Sequence, residues 1–167
     1  MRLFFKIWVV SSLLGGAFLS APASAQLFNM ESPLLGKKAP DFSLDTTSGA
    51  TNVSMTKFRE GKPAIIFFWA TWCPHCREQL KVLNKQIDQI QKKNIKLILV
   101  DIGESAKQVQ KHFEREKIAL EVFLDKDEAV AEQYALIGVP TFFFINKEGV
   151  VKSVEHAFVD EYEEILK

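Results

Sequence analysis

Ala64-Ile65-Ile66-Phe67-Phe68-Trp69-Ala70-Thr71-Trp72-Cys73-Pro74-His75-Cys76 opens on a continuous apolar run and closes on two cysteines separated by two residues. The run Ala64–Trp69 mixes β-branched and aromatic side chains without alternation, which predicts a strand buried on both faces. Directly after it, Leu80, Leu83, Ile87 and Ile90 recur at helical spacing among Lys, Gln and Asn, predicting an amphipathic helix from about Pro74 to Lys92. Pro74 suits the first turn, because the N–H it lacks would have no intrahelical partner there. The cysteine pair therefore falls where a buried strand hands over to a helix.

Outward from this junction the same alternation continues. Leu97–Ile102 reads as a second buried strand, and Ser105 with Gln108 forms a capping-box signature ahead of a helix whose apolar face is Ala106, Val109 and Phe113. A short strand over Glu121–Leu124 and a helix over Asp127–Tyr134 lead to Gly138-Val139-Pro140-Thr141. Phe142–Ile145 and Val150–Val154, joined by Asn146-Lys147-Glu148-Gly149, predict a hairpin, and a short helix follows over about Asp160–Leu166. On the N-terminal side, Lys57–Pro63 reads as a turn of helix and a loop. Phe42-Ser43-Leu44 with Thr47-Ser48-Gly49 predicts a short edge hairpin, and Pro33, Gly36 and Pro40 break residues 26–40 into an extended lead-in. The fold class is α/β: a central mixed sheet with helices on both faces, its first strands parallel and its last pair antiparallel.

The first residues read as an address. Arg2 and Lys6 precede an apolar run from Ile7 to Leu19, and Ala21-Pro22-Ala23-Ser24-Ala25 ends it with the small residues of a signal-peptidase site. The run falls short of the roughly 20 residues a bilayer span needs. Cleavage after Ala25 and delivery to the periplasm are expected, with an uncleaved membrane anchor as the alternative. The expected segments are 1–25 signal peptide, 26–37 lead-in and 38–167 domain. Without Arg2 and Lys6 the domain carries 19 Lys+Arg against 21 Asp+Glu, a net charge of −2. No basic block exists to attract nucleic acid, so partners are expected among proteins or small molecules.

Export sharpens the meaning of the two cysteines, since exported thiols are oxidised into structural or redox-active pairs. A bridge closing so small a loop constrains the unfolded chain little, which favours a redox pair over a structural clasp. At a helix start, free backbone N–H groups favour an anion, and such cysteines have pKa values lowered from about 8.5 into the range of roughly 3.5–7.5. Cys73, at the exposed end, is expected to attack or be attacked, and Cys76, one turn deeper, to resolve the mixed disulfide. Pro74 and His75 tune the thiolate, His75 by a positive charge or an N–H donor. Arg77 and Glu78 flank the pair with opposite signs. Metal binding is the competing chemistry, but a structural zinc site needs four ligands and only His112 and His156, both expected at the surface, remain as further imidazoles. No metal is therefore expected. A non-enzymatic redox-sensitive or metal-handling module is the alternative from another class.

Trp69–Cys76 closely resembles the active-site segment of thioredoxin-fold proteins, and Gly138-Val139-Pro140-Thr141 resembles their cis-proline loop. Ala39-Pro40-Asp41-Phe42-Ser43-Leu44 is similar to the entry of the exported TlpA/ResA-type branch, which shares ancestry with peroxiredoxins. The resemblance implies a thioredoxin fold and a redox-active disulfide as the only cofactor. It also implies a cis Val139–Pro140 bond, and substrate binding by Trp72, Val139, Pro140 and Thr141. The Val139 backbone would pair with substrate main chain like an added strand. Implied partners are protein thiols or disulfides and a membrane redox partner that resets the pair, with a monomer as the default. Two departures stand out. The buried acid of thioredoxins falls on Phe67, and the acid that some ResA-type reductants carry three residues after the second cysteine falls on Gln79, so Cys76 lacks an obvious proton acceptor. The Pro-x-x-x-Thr-x-x-Cys loop of peroxiredoxins is not matched by Trp72-Cys73-Pro74-His75-Cys76.

The direction of electron flow draws two opposed expectations. Whatever stabilises the Cys73 thiolate makes the disulfide a better oxidant, by about 30 mV per 1.4 kcal/mol. Pro74-His75 and Val139 resemble strongly oxidising DsbA-type proteins, although the stretch between Val122 and Pro140 has no room for their inserted helical domain. TlpA-like scaffolds more often reduce, for example toward cytochrome c or copper-site maturation. Oxidation or disulfide donation is the reading adopted, with reduction as the alternative.

Overall fold

The computed structural model describes residues 31–167; the expected signal segment 1–25 and the first part of the lead-in lie outside them. In chain order the elements are β1 (Ser43–Thr46), β2 (Val53–Ser54), α1 (Met55–Arg59), β3 (Ala64–Trp69), α2 (Pro74–Lys92) and β4 (Lys96–Ile102). They continue with α3 (Ala106–Glu116), β5 (Val122–Asp125), α4 (Ala129–Gln133), β6 (Thr141–Ile145), β7 (Val151–Glu155) and α5 (Tyr162–Ile165). One sheet runs β2-β1-β5-β4-β3-β6-β7, with β3, β4 and β5 mutually parallel and the other pairings antiparallel.

β3 is central, flanked by β4 and β6, and all six of its residues are buried. This is the physical reason that its sequence lacks alternation. Ile65, Phe67 and Trp69 enter one core with Leu80, Leu83, Leu99, Val109, Phe113 and both cysteines. Ile66 and Phe68 enter the other with Ile98, Val100, Phe123, Tyr134 and Phe143. Burying each such side chain is worth roughly 1.5–3 kcal/mol. Ring geometry adds to this where Phe67 stacks on Phe142 at 4.2 Å and Trp69 on Phe113 at 5.3 Å.

Helix bounds follow caps. α3 begins at Ser105 with the expected capping box intact. α1 starts earlier than predicted because the Ser54 hydroxyl accepts the Lys57 N–H at 3.2 Å. α4 is shorter than predicted: Asp125 reaches across to accept the N–H groups of Val130 and Ala131 at 3.1 and 2.7 Å, which sets its first turn. The lead-in does not hang free. Gly36 N–H donates to Val151 O at 2.9 Å, Val151 N–H to Lys37 O at 2.8 Å, and Ala39 N–H to Gly149 O at 2.9 Å, so it runs along the β7 side of the sheet. Among the described residues, no helix is long and apolar enough to cross a membrane.

One expectation is corrected. His112 is buried, at 4 % exposure, rather than at the surface. It lies three residues after Val109 and beside Phe113, on the inward face of α3, so the helix that buries those apolar side chains buries the imidazole too.

Candidate active site

Three short pieces of chain meet at the carboxyl edge of the parallel strands: the β3–α2 junction, the turn after β4, and the loop before β6. At the first, Cys73 is the N-cap of α2, in extended conformation, with Pro74 opening the helix behind it. The Cys73 sulfur accepts the backbone N–H of Cys76 at 3.1 Å, the contact by which a helix start stabilises negative charge. Cys73 and Cys76 are joined as a disulfide, their Cα atoms 5.3 Å apart. Cys76 is fully buried, and Cys73 shows 4 % of its surface, so the sulfur expected to be exposed is only barely so.

The cover is the loop before β6. The Val139–Pro140 bond is cis, and Val139 O lies 3.7 Å from the Cys73 sulfur. Thr141 is buried and donates its hydroxyl to Gly138 O at 2.7 Å, so its side chain braces the loop from inside. His156, read as a surface residue, is exposed but not idle: its Nδ1 sits 3.0 Å from Pro140 O. Trp72, 65 % exposed, stands beside the cysteines, and Ile137, 74 % exposed, precedes the cis-proline loop. His75 points to solvent and pairs with Glu78 at 3.7 Å. Gln79, which stands where some relatives have an acid, instead accepts the Phe158 N–H at 2.8 Å and ties α2 to the C-terminal segment.

The end of β4 and the turn after it hold what sequence reasoning missed. Asp101 is fully buried, and neither carboxyl oxygen makes a hydrogen bond of ordinary geometry among the described residues, although Glu104 lies close enough to perturb it. Burial first, then the neighbouring Glu104 carboxyl, pushes its pKa from 3.8 up to about 9, so it is a neutral acid at pH 7. Gly103, at φ 74°, supplies the left-handed turn that brings Glu104 back toward the site. Glu104 accepts the Thr71 N–H at 2.5 Å and the Thr71 hydroxyl at 2.6 Å, anchoring the loop that carries Cys73. A signal did exist for Asp101: a strand buried on both faces has no outward position, so a carboxyl within Leu97–Ile102 had to point into a core.

A groove of about 660 Å³ between Thr47-Ser48, α3 and Ala119-Leu120 lies away from the cysteines. A partner that is itself a protein reaches the sulfur from the surface and needs no such cavity. Among the described residues, no cluster of three or more His, Cys, Asp or Glu side chains is arranged to hold a metal.

A disulfide at a helix mouth, faced by a cis-proline loop on this sheet order, defines a thiol–disulfide oxidoreductase of thioredoxin fold. The comparisons with known proteins agree: the chain belongs to the AhpC/TSA family, whose model matches residues 35–154. It is 32 % identical over 120 residues to the thiol-disulfide oxidoreductase ResA of Geobacillus thermodenitrificans, covering 72 % of this chain and 68 % of that protein. With ResA of Bacillus subtilis it shares 30 % over 137 residues, covering 79 % and 75 %. The solved thioredoxin domain of a thiol-disulfide oxidoreductase from Bacteroides vulgatus superposes with a TM-score of 0.69 at 25 % identity, covering 80 % of this chain and 98 % of that one. The resemblance to the TlpA/ResA branch is thereby borne out.

Proposed function

We propose that the protein donates the Cys73–Cys76 disulfide to thiols of exported proteins in the periplasm, after cleavage of residues 1–25, and acts as a monomer. The observation that carries this reading is the Cys76 N–H directed at the Cys73 sulfur from the helix mouth. A thiolate left on Cys73 is stabilised there, which favours the reduced protein and makes its disulfide the better oxidant. A client thiolate attacks the Cys73 sulfur, the Cys73–Cys76 bond breaks, and Cys76 takes the electron pair. A second client thiolate then attacks the client sulfur of the mixed disulfide, releasing Cys73 as thiolate. Two electrons have passed to the protein, and a membrane redox partner takes them away. Trp72, Val139 and Pro140 form the surface on which the client segment lies, its main chain pairing with that of Val139, while Thr141 braces the loop. The alternative, reduction of the kind known for TlpA/ResA-type scaffolds in cytochrome c or copper-site maturation, is decided by the same experiment.

That experiment is oxidation of a dithiol peptide beside reduction of insulin, with the reduction potential of the pair. The expected result is peptide oxidation by wild type, none by Cys73→Ala, and a potential well above the thioredoxin value of about −270 mV. A potential near that value would assign the protein to reduction instead.

A further inference from the structure

Successive carbonyls of the loop before β6 each have their own partner. Gly138 O accepts the Thr141 hydroxyl at 2.7 Å, Val139 O faces the Cys73 sulfur at 3.7 Å, and Pro140 O lies 3.0 Å from His156 Nδ1. Pro140 stands one residue beyond the last β3–β6 pair, Phe68 with Thr141, and among the described residues no backbone N–H donates to its carbonyl. A carbonyl can only accept, so Nδ1 carries the imidazole hydrogen. The same N–H lies 3.3 Å from Thr141 Oγ1, whose own hydrogen is committed to Gly138 O. Imidazole, hydroxyl and carbonyls thus form one connected set, running from His156 through Thr141 to Gly138 with a branch to Pro140.

The register of the last hairpin delivers His156 to this place. Phe142 pairs with Glu155, so the residue after Glu155 comes opposite Thr141, the first residue of β6. Further along, the Phe158 N–H donates to Gln79 Oε1 at 2.8 Å, and the Phe158 ring packs edge-on against Phe142 at 6.1 Å. The segment 156–158 is therefore held to the loop at one end and to α2, the helix that carries Cys76, at the other.

We infer that His156 is a positioning residue for disulfide exchange: its Nδ1–H holds Pro140 O so that the Val139 main chain is presented to the client beside the Cys73 sulfur. The inference deepens the proposed function and rests on its reading that client main chain pairs with Val139. The Val139 N–H shares a peptide plane with Gly138 O, and Val139 O lies in the next plane, between that one and the plane of Pro140 O. Peptide units turn as rigid plates. With the outer plates held by Thr141 and His156, the middle one keeps its direction. Among the described residues His156 makes no hydrogen bond to either sulfur, so what it does passes through the loop.

The test compares how fast a dithiol peptide and dithiothreitol each reduce the disulfide of the full chain at pH 7, per unit of thiolate. Dithiothreitol has no main chain to lay on Val139, so only the peptide reaction uses the loop's orientation. Wild type should favour the peptide. His156→Ala should slow the peptide reaction by about tenfold and leave the dithiothreitol reaction within about twofold. His156→Asn places an amide N–H where Nδ1–H stood and should restore most of the peptide rate. His156→Gln carries its amide one bond further out and should not. His156 is exposed, so all three variants should unfold as cooperatively as wild type. A wild-type peptide rate in His156→Ala, an equal loss with both reductants, or rescue by Gln as full as by Asn overturns the proposal. A wild type that does not favour the peptide removes the pairing with Val139 itself, whereas an advantage that every variant keeps removes only the role of His156.

Discussion

A carboxyl group that keeps its proton to about pH 9 weakens the fold it sits in. In the unfolded chain Asp101 ionises near 3.8, so between roughly pH 4 and pH 9 unfolding releases a proton that the folded protein holds. Its contribution is fully present below the unfolded value and is lost as pH rises through the folded one. At pH 7 the loss is on the order of 4 kcal/mol at most. Asp101→Asn should therefore be more stable than wild type at pH 7, with the difference vanishing near pH 4. Guanidinium denaturation at both pH values checks this, and a difference independent of pH would mean that Asp101 ionises normally. The neighbouring Thr71 hydroxyl, bonded to Glu104 at 2.6 Å, should cost about 1–3 kcal/mol on Thr71→Val, read from the same kind of curve. At this scale the sequence is legible where chemistry and spacing coincide. Cys73, Cys76 and Pro140 announce themselves by motif. Asp101 announces only that it must be buried, and Glu104 and His112 announce nothing, because what they touch depends on how β4, the turn after it and α3 pack.

Helices and strands were legible in proportion to how much of their own boundary information they carry. α2 spans Pro74–Lys92, the range its apolar spacing predicts, because Pro74 fixes its start. α3 announces itself through Ser105 and Gln108. α4 does not, since the group that sets its first turn is Asp125, at the end of the preceding strand. Ser105→Ala should remove the hydroxyl that caps α3 and lower stability by about 1 kcal/mol, with the denaturant slope unchanged. Exchange activity should persist, because no α3 side chain is hydrogen-bonded to the Cys73 sulfur among the described residues. A loss of activity would show instead that the start of α3 bears on the site.

For the whole molecule, the order of strands and helices was enough to predict a mixed sheet covered on both faces. Two pairings were not legible: β1 running antiparallel to β5, and the lead-in lying along β7. Both join segments far apart in sequence whose residues carry no periodic mark of their partners. The second has a measurable role. Its bonds to Gly149 and Val151 cover the start of the β7 edge, where free backbone groups would be a template for association with other chains. Deleting residues 31–38 should give concentration-dependent association in light scattering. A deleted chain that stayed monomeric would show that β7 protects its own edge.

The narrow view of Cys73, with Val139 O 3.7 Å away, has a bearing on which cysteines can reach it. A sulfur so screened can be approached only by a cysteine on a slender, extended stretch, and a finished globule with recessed thiols offers none. The site is thus suited to cysteines carried on loose, extended segments of a protein substrate. After reduction, iodoacetamide should modify Cys73 far faster than a polymer-linked maleimide does, relative to the same pair of reagents on an unstructured cysteine peptide.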